Sequence, residues 1–414
     1  MIMLSQGRCR FCGEKLETTL VDLGMSPLCE SYLEPSQLND MEPFYPLHVF
    51  VCQSCLLVQL DEYVDPEHIF SEYAYFSSFS DTWLRHAEDY VAMMIDRFAL
   101  GSDSRIVELA SNDGYLLQYF VHAGIPVLGV EPAKNIAKVA IDKGIDTMTE
   151  FFGKDLARTL ASEGKMADVL LGNNVLAQIP DINDFVGGMQ LLLKETGVIT
   201  MEFPHLVCLM KENQFDTIYH EHFSYFSLIA VSKIFAAHGL TIFDVEKLST
   251  HGGSLRIFAC HDGNVAYPIS AAVADLMAEE ESFGLVDFSA YSTFAEQVRT
   301  SKRKILKFLI NEKEKGKVIV GYGAPGKGNT LLNYCGIRTD FVDYTVDRNP
   351  YKQGKFLPGT HIPICGPDMI METKPDFVLI LPWNFKDEII EQISYIREWG
   401  GRFVVPIPEV RVIP

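Results

Sequence analysis

Short apolar runs that close on polar residues recur through the middle and the last third of the chain. From Ser104 the sequence reads SRIVELASNDGYLLQYF. An apolar run ends at Glu108, a loop of small and polar residues follows, and Leu116, Leu117 and Phe120 then fall at helical spacing. This pattern predicts a strand, a loop and a helix. IPVLGVEPA predicts a second strand with Glu131 at its C-terminal end, and ADVLLGNNVLAQIPD and GVITMEFPH predict two more, carrying Asn173, Asn174 and Glu202 at the same edge. Open α/β sheets bind ligands outside the carboxyl ends of their strands, so Glu131 is placed to accept from ribose hydroxyls and the other three to line the crevice. A second series begins at KVIVGYGAPGKGNTLLNY, a strand, a glycine-rich loop and a helix. It continues through FVDYTVDRNPY, with Asp347 at a strand end, and the buried run PDFVLILPWNF. Between the two series, DLMAEEESFGLVDF and the residues to KEKGK are highly charged with apolar positions at helical spacing, which predicts helices with a solvated face. The fold class expected is α/β.

Composition narrows the function. At 414 residues and 48% hydrophobic, the chain is long enough for two or three domains, each with its own core. A formal charge of −20 argues against a nucleic-acid partner, since that binding rests on lysine and arginine displacing counterions. Without a long apolar run or a signal-like N-terminus, a cytoplasmic protein with no membrane partner is expected, as a monomer or weak oligomer acting on small molecules.

Cys9 and Cys12 in RCRFCGE, and Cys52 and Cys55 in FVCQSCLLVQL, set two thiolates two residues apart, twice. Such knuckles aim four sulfurs at one tetrahedral ion and leave no open coordination position, so a structural zinc site is expected, with redox cysteines as the competing reading. The scattered Cys29, Cys208, Cys260, Cys335 and Cys365 read as small buried hydrophobes.

The two loops differ. In the first, Ala110 and Asn112 stand where a dinucleotide fingerprint has glycines, and only Gly114 matches. The second, with Gly321, Gly323 and Gly326, fits a nucleotide-binding pattern better and predicts diphosphate contact at Gly323, Gly326 and Lys327, beside Asn329. Taken alone, this half reads as a nicotinamide-dependent dehydrogenase.

VELASNDGYLL, VEPAKNIA, NNVLAQIPD, YHEHFSYFS and HGGSLRIF, in that order behind the cysteine pairs, resemble the S-adenosylmethionine-dependent sugar C-methyltransferases of deoxysugar biosynthesis. The resemblance runs nearly the whole chain. It implies a small zinc-binding subdomain (1–70), a central class I methyltransferase Rossmann-like domain (71–265) and, after a helical linker, a second Rossmann-like domain (266–414). A nucleoside-diphosphate 4-keto-6-deoxy sugar, linked to TDP or GDP, is the implied substrate, bound between the last two. By this likeness the ligand at Glu108, Ala110, Asn112, Gly114, Glu131, Asn173 and Asn174 is S-adenosylmethionine, with Phe151 or Phe152 near the adenine.

Methylation at carbon needs a nucleophile, which forms when a proton is removed beside a ketone. That calls for a base titrating near working pH and a donor to the enolate oxygen. IYHEHFSYFSL supplies both types in Tyr219, His220, Glu221 and His222. An extended segment would pair Tyr219 with Glu221 and His220 with His222, whereas a turn would let Tyr219 and His222 share a face; both arrangements are open at this point. The resemblance implies His222 as base, Tyr219 and Glu221 as its partners and Tyr75 as a further tyrosine of the site, with His220 on the substrate side. In HGGSLRIF, His251 and Arg256 are candidate substrate contacts, although a hairpin alone would account for the glycines. The expected reaction is methyl transfer to a ring carbon, C-3' beside the ketone; oxygen methylation and the dehydrogenase are the alternatives.

Overall fold

The computed structural model describes residues 7–65 and 76–414, and its contacts divide the chain into two compact units. One gathers Met1–Thr18, Val51–His205 and Glu221–Val286; the other gathers Thr19–Phe50, Leu206–His220 and Asp287–Pro414. Each unit collects three separate stretches of the chain.

Strands β1 (Thr18–Ser26) and β2 (Tyr45–Val51) belong, apart from their outer ends, to the second unit, and β3 (Val58–Leu60) to the first. Helix α1 (Asp81–Phe98) starts at Ser80, whose hydroxyl accepts from the Trp83 amide at 3.3 Å. It turns Trp83, Ala87, Tyr90, Val91 and Met94 inward, a helical stripe that joins Ile106, Leu117, Phe120 and Phe258 in the core. Then come β4 (Ile106–Leu109), β5 (Val127–Val130), β6 (Thr147–Met148), β7 (Ala167–Asn173), β8 (Leu193–Pro204), β9 (Ser224–Tyr225), helix α2 (Leu228–Ala237), β10 (Leu240–Leu248), β11 (Ser254–His261) and helix α3 (Ala271–Phe283).

In the first unit seven strands lie in the order β10-β11-β8-β7-β4-β5-β6. All neighbours are parallel except β11, which runs antiparallel to both β8 and β10. The chain reverses its direction across the sheet between β4 and β7, and a ligand crevice opens at such a switch point. This is the class I methyltransferase arrangement. A short antiparallel pairing of β3 with β9, Val58 opposite Tyr225 and Gln59 opposite Ser224, joins the cysteine-bearing segment to the residues after His222.

The second unit holds β12 (Ile319–Tyr322), helix α4 (Gly326–Cys335), β13 (Thr345–Val346), β14 (Ile364–Cys365), β15 (Phe377–Ile380), β16 (Arg402–Val405) and β17 (Arg411–Ile413), in the sheet order β14-β13-β12-β15-β16-β17. Only β17 is antiparallel. IVGY and FVLI are buried along their whole length, as central parallel strands covered on both faces must be. The charged stretch before them forms the long helix Tyr291–Glu314, which buries Tyr291, Phe294, Val298, Ile305 and Leu309 and leaves its charges outward.

Candidate active site and metal centre

The four cysteines meet: the sulfurs of Cys9, Cys12, Cys52 and Cys55 all lie within 4.8 Å of one another. Each pair sits on the same backbone device. The carbonyls of Cys9 and Cys52 accept from the amides four residues on, and the residue after each second cysteine, Gly13 or Leu56, takes a left-handed conformation (φ 77° and 68°). Gln59 donates to the Cys9 sulfur at 3.1 Å and accepts from the Arg10 amide. Four thiolates this close repel one another unless a cation sits among them, and four sulfurs fill a tetrahedral shell, so the residues fit a structural zinc ion.

At the switch point, the loop after β4 carries Ala110 (φ 55°), Asn112 (φ 50°) and Gly114 (φ 75°). Ala110 and Asn112 thus adopt the left-handed backbone that glycines usually supply, at some cost in strain. A Cβ on Gly114 would lie 2.2 Å from the Ile145 side chain, so close packing requires glycine there. Glu131 accepts from the amides of Asn112 and Ala133, each at 2.9 Å, and locks the loop against the end of β5. Glu108 is 1% exposed and neither of its carboxylate oxygens has a partner among the described residues. Burial, with the charges of Glu131 and Asp113, holds its pKa well above the ordinary value. Ser111 Oγ, Asp113 Oδ1, Asn173 Nδ2 and Asn174 Oδ1 are likewise buried without partners among the described residues. Phe152 packs edge-on against Phe185 and close to Gly188, and Phe151 is exposed.

Beside the crevice a row of side chains crosses the sheet in register: Asn173 of β7, Glu202 of β8, Arg256 of β11 and Glu246 of β10. Glu202 is fully buried; it accepts from Thr250 at 2.7 Å and meets His86 at 2.9 Å and Arg256 at 3.1 Å. Desolvation raises its pKa, but the His86 hydrogen bond and charge and the Arg256 charge outweigh it and leave the pKa below the ordinary value. Arg256 also reaches Glu246 and lies 4.5 Å over the Tyr90 ring. Its charge is shared by two carboxylates, so its place is in this row. His251 has a left-handed backbone (φ 53°), meets Asn174 at 2.8 Å and stands edge-on to Trp83. Trp83 stacks on His86, three residues on along α1, a pairing visible in the sequence only as helical spacing.

The YHEH segment is a turn at His220–Glu221, which answers the question of extended against turned backbone. His220 is 4% exposed, bonds the Pro46 carbonyl at 3.2 Å and packs edge-on to Tyr45; burial pushes its pKa down. Glu221 and His222 are buried, and the His222 ring stands edge-on to Tyr225. Tyr75 lies outside the described residues. Downstream, Glu280 of α3, 0% exposed, accepts from the Leu228 and Ile229 amides at the start of α2 and from His205. Removing this carboxylate would strand two helix-start amides and a buried imidazole. Glu280→Ala is expected to cost about 3 kcal/mol of stability, read by denaturant unfolding.

In the second unit, the glycine loop after β12 is filled by its own chain. A Cβ on Gly326 would stand 2.8 Å from Cys29 Sγ and 3.3 Å from Glu30 Oε1, and one on Gly323 would stand 2.6 Å from Pro382. The Tyr32 hydroxyl lies 2.6 Å from the Ala324 carbonyl and 2.7 Å from Glu30 and donates its one proton between them, Lys352 donates to the same carbonyl, and Asn329 donates to the Cys29 carbonyl. Asp347 accepts from the Ala324 and Asn349 amides, its oxygens turned onto the backbone. The Glu30 carboxylate thus stands in front of Gly326.

Residues 9–70 match a family model described as "Putative zinc binding domain", residues 83–245 one described as "Methyltransferase domain", and residues 249–408 one described as "C-methyltransferase C-terminal domain". C-methyltransferase NovU of Streptomyces niveus is 38% identical over 408 residues, which cover 98% of this chain and 96% of NovU. The chain belongs to the C-methyltransferase family. An ubiquinone biosynthesis O-methyltransferase of Bartonella tribocorum is 23% identical over 126 residues, 29% of this chain and 51% of its own. Magnesium protoporphyrin IX methyltransferase (ChlM) of Synechocystis PCC 6803, solved with bound SAM, is 16% identical over 43% of this chain and 79% of its own at a TM-score of 0.33, too distant to add to this.

For a C-methyltransferase the crevice at β4 and β5 fits S-adenosylmethionine. Glu108, a buried carboxylate without donors among the described residues, would be satisfied by a ligand bringing hydroxyls and an ammonium. Burial pushes Glu131 from 4.5 up to about 7, against the two amides that favour its charge. Between those values the folded chain keeps a proton that the unfolded chain has lost, so this group's contribution to stability falls as pH rises through the window. Ribose hydroxyls donate to the ionised form. Cofactor affinity is therefore expected to rise roughly tenfold from pH 6 to pH 8, by calorimetry, and Glu131→Gln to flatten that rise.

Proposed function

We propose that this C-methyltransferase methylates a ring carbon, C-3', of a nucleoside-diphosphate 4-keto-6-deoxy sugar through an enolate. The observation that carries this reading is the turn at Tyr219–His222, which puts an imidazole, a carboxylate and a phenol into four consecutive residues of an enzyme whose relative NovU is named for methylation at carbon. A carbon beside a ketone becomes nucleophilic only after losing a proton. In this reading His222 takes that proton, Glu221 supports the imidazolium that results, and Tyr219, with Tyr75, donates to the enolate oxygen. S-adenosylmethionine supplies the electrophilic methyl group. Zinc takes no part in the step. The closed glycine loop of the second unit speaks against a nicotinamide dinucleotide there, because Glu30 and Tyr32 take the place of the phosphates.

The test offers TDP- and GDP-linked 4-keto-6-deoxy sugars with methyl-labelled S-adenosylmethionine and locates the label by NMR. Label on C-3' supports the assignment and the faster nucleotide names the substrate. Label on oxygen, or on no sugar of either kind, would overturn it.

A further inference from the structure

The glycine-loop lysine has a partner inside the protein. Lys327, in the first turn of α4, donates to Asn384 Oδ1 at 2.9 Å and lies 4.7 Å over the Trp383 ring. Trp383 donates its indole N–H to Asp216 Oδ2 at 2.7 Å, and Asp216 is 0% exposed. Lys327 and Asp216 attract each other: burial lowers the lysine's pKa and raises the aspartate's to about 6, and each charge opposes the other's shift. One turn along α4, Thr330 donates to the Ile218 carbonyl at 3.1 Å, and one turn beyond that Tyr334 packs edge-on to Phe215. Lys327, Thr330 and Tyr334 are spaced i, i+3, i+7 and so share one face of the helix. That face, with Trp383 bridging Lys327 and Asp216, holds Asp216, Ile218 and Phe215, and the residue after Ile218 is Tyr219.

We propose that the Lys327, Thr330 and Tyr334 face of α4, with Trp383, is a clamp that fixes Phe215–Ile218 and so presents Tyr219 for its hydrogen bond to the reacting ketone. Lys327 is then a positioning residue, not a phosphate ligand. The Trp383–Asp216 and Thr330–Ile218 hydrogen bonds and the Tyr334–Phe215 ring contact fix the direction of the segment, and orientation is what a donor to a developing oxyanion requires. The inference rests on the reading of Tyr219 as that donor.

The test is a cycle of Lys327→Met, Asp216→Asn and the double variant, read in two ways. In methyl-transfer kinetics each single variant is expected to lower kcat by roughly 10- to 100-fold with KM for the nucleotide sugar nearly unchanged, and the double variant to recover part of the loss. A tenfold rise in KM confined to Lys327→Met, with additive effects, would instead make Lys327 a phosphate ligand and overturn the clamp. The second readout needs no substrate: in protein labelled with 3-fluorotyrosine, the Tyr219 line, assigned by its loss in Tyr219→Phe, should shift or broaden in each single variant. Should Lys327→Met fail to fold, the isosteric Asp216→Asn still reports, and an unmoved Tyr219 line in it overturns the clamp. A line that moves in a protein inactive on every keto sugar would retain the clamp and refute the substrate reading alone.

Discussion

His222→Asn is expected to lower kcat for methyl transfer by about 10²–10⁴-fold while S-adenosylmethionine still binds. Asparagine approximates the size of the imidazole ring and can hydrogen-bond, but it cannot take up a proton. The proposed cofactor residues stand at the ends of β4, β5 and β7 and do not include His222, so cofactor affinity is expected to hold within a few-fold. His222 is 9% exposed and its ring packs edge-on to Tyr225. Steady-state kinetics beside calorimetry checks both halves, and full turnover in the variant would remove His222 from the chemistry.

Stripping the metal is expected to cost more in structure than any single substitution. Structural zinc sites of this ligand type carry roughly 10–16 kcal/mol of binding free energy coupled to folding. Here that energy also reaches the proposed base. Arg10, beside Cys9, lies 5.3 Å from the centre of the Phe223 ring, its guanidinium donates to the Pro180 carbonyl, and its amide is held by Gln59, the residue that also donates to the Cys9 sulfur. The Leu60 amide at the end of β3 donates to the Phe223 carbonyl, directly after His222. Cys52→Ser, or treatment with a strong chelator, should therefore lower the melting temperature and abolish turnover together. Zinc added back to the chelated wild type, but not to Cys52→Ser, should restore both. Activity surviving in metal-free protein would contradict a structural role so close to the turn.

The strands were legible because their cause is local. SRIVEL, IPVLGV, ADVLLGN, KVIVGY and PDFVLI are apolar runs that only a sheet covered on both faces can bury, and each became one of the central strands. The four cysteines were legible for the same reason, since their spacing is a property of a single knuckle. The first cofactor loop was harder. Ala110 and Asn112 conceal its left-handed backbone, because a glycine is the usual sign of that conformation and neither residue is one. The rest depends on partners distant in sequence. Lys327 looks like a phosphate ligand in GAPGKGN until Trp383 and Asn384, from far along the chain, meet its ammonium, and Gly326 looks open until Cys29 and Glu30 fill the space in front of it. The charge row of Glu202, Arg256 and Glu246 likewise exists only once β11 inserts antiparallel between β8 and β10. No periodicity reports such encounters.

The most direct test of the enolate reading is solvent exchange. Wild-type enzyme is incubated in deuterated water with the 4-keto-6-deoxy sugar nucleotide that it methylates, without a methyl donor, and the carbon beside the ketone is followed by NMR. Deuterium is expected at C-3', dependent on enzyme and lost in His222→Asn. Methyl transfer to that carbon with exchange equally fast in wild type and His222→Asn would contradict the enolate reading.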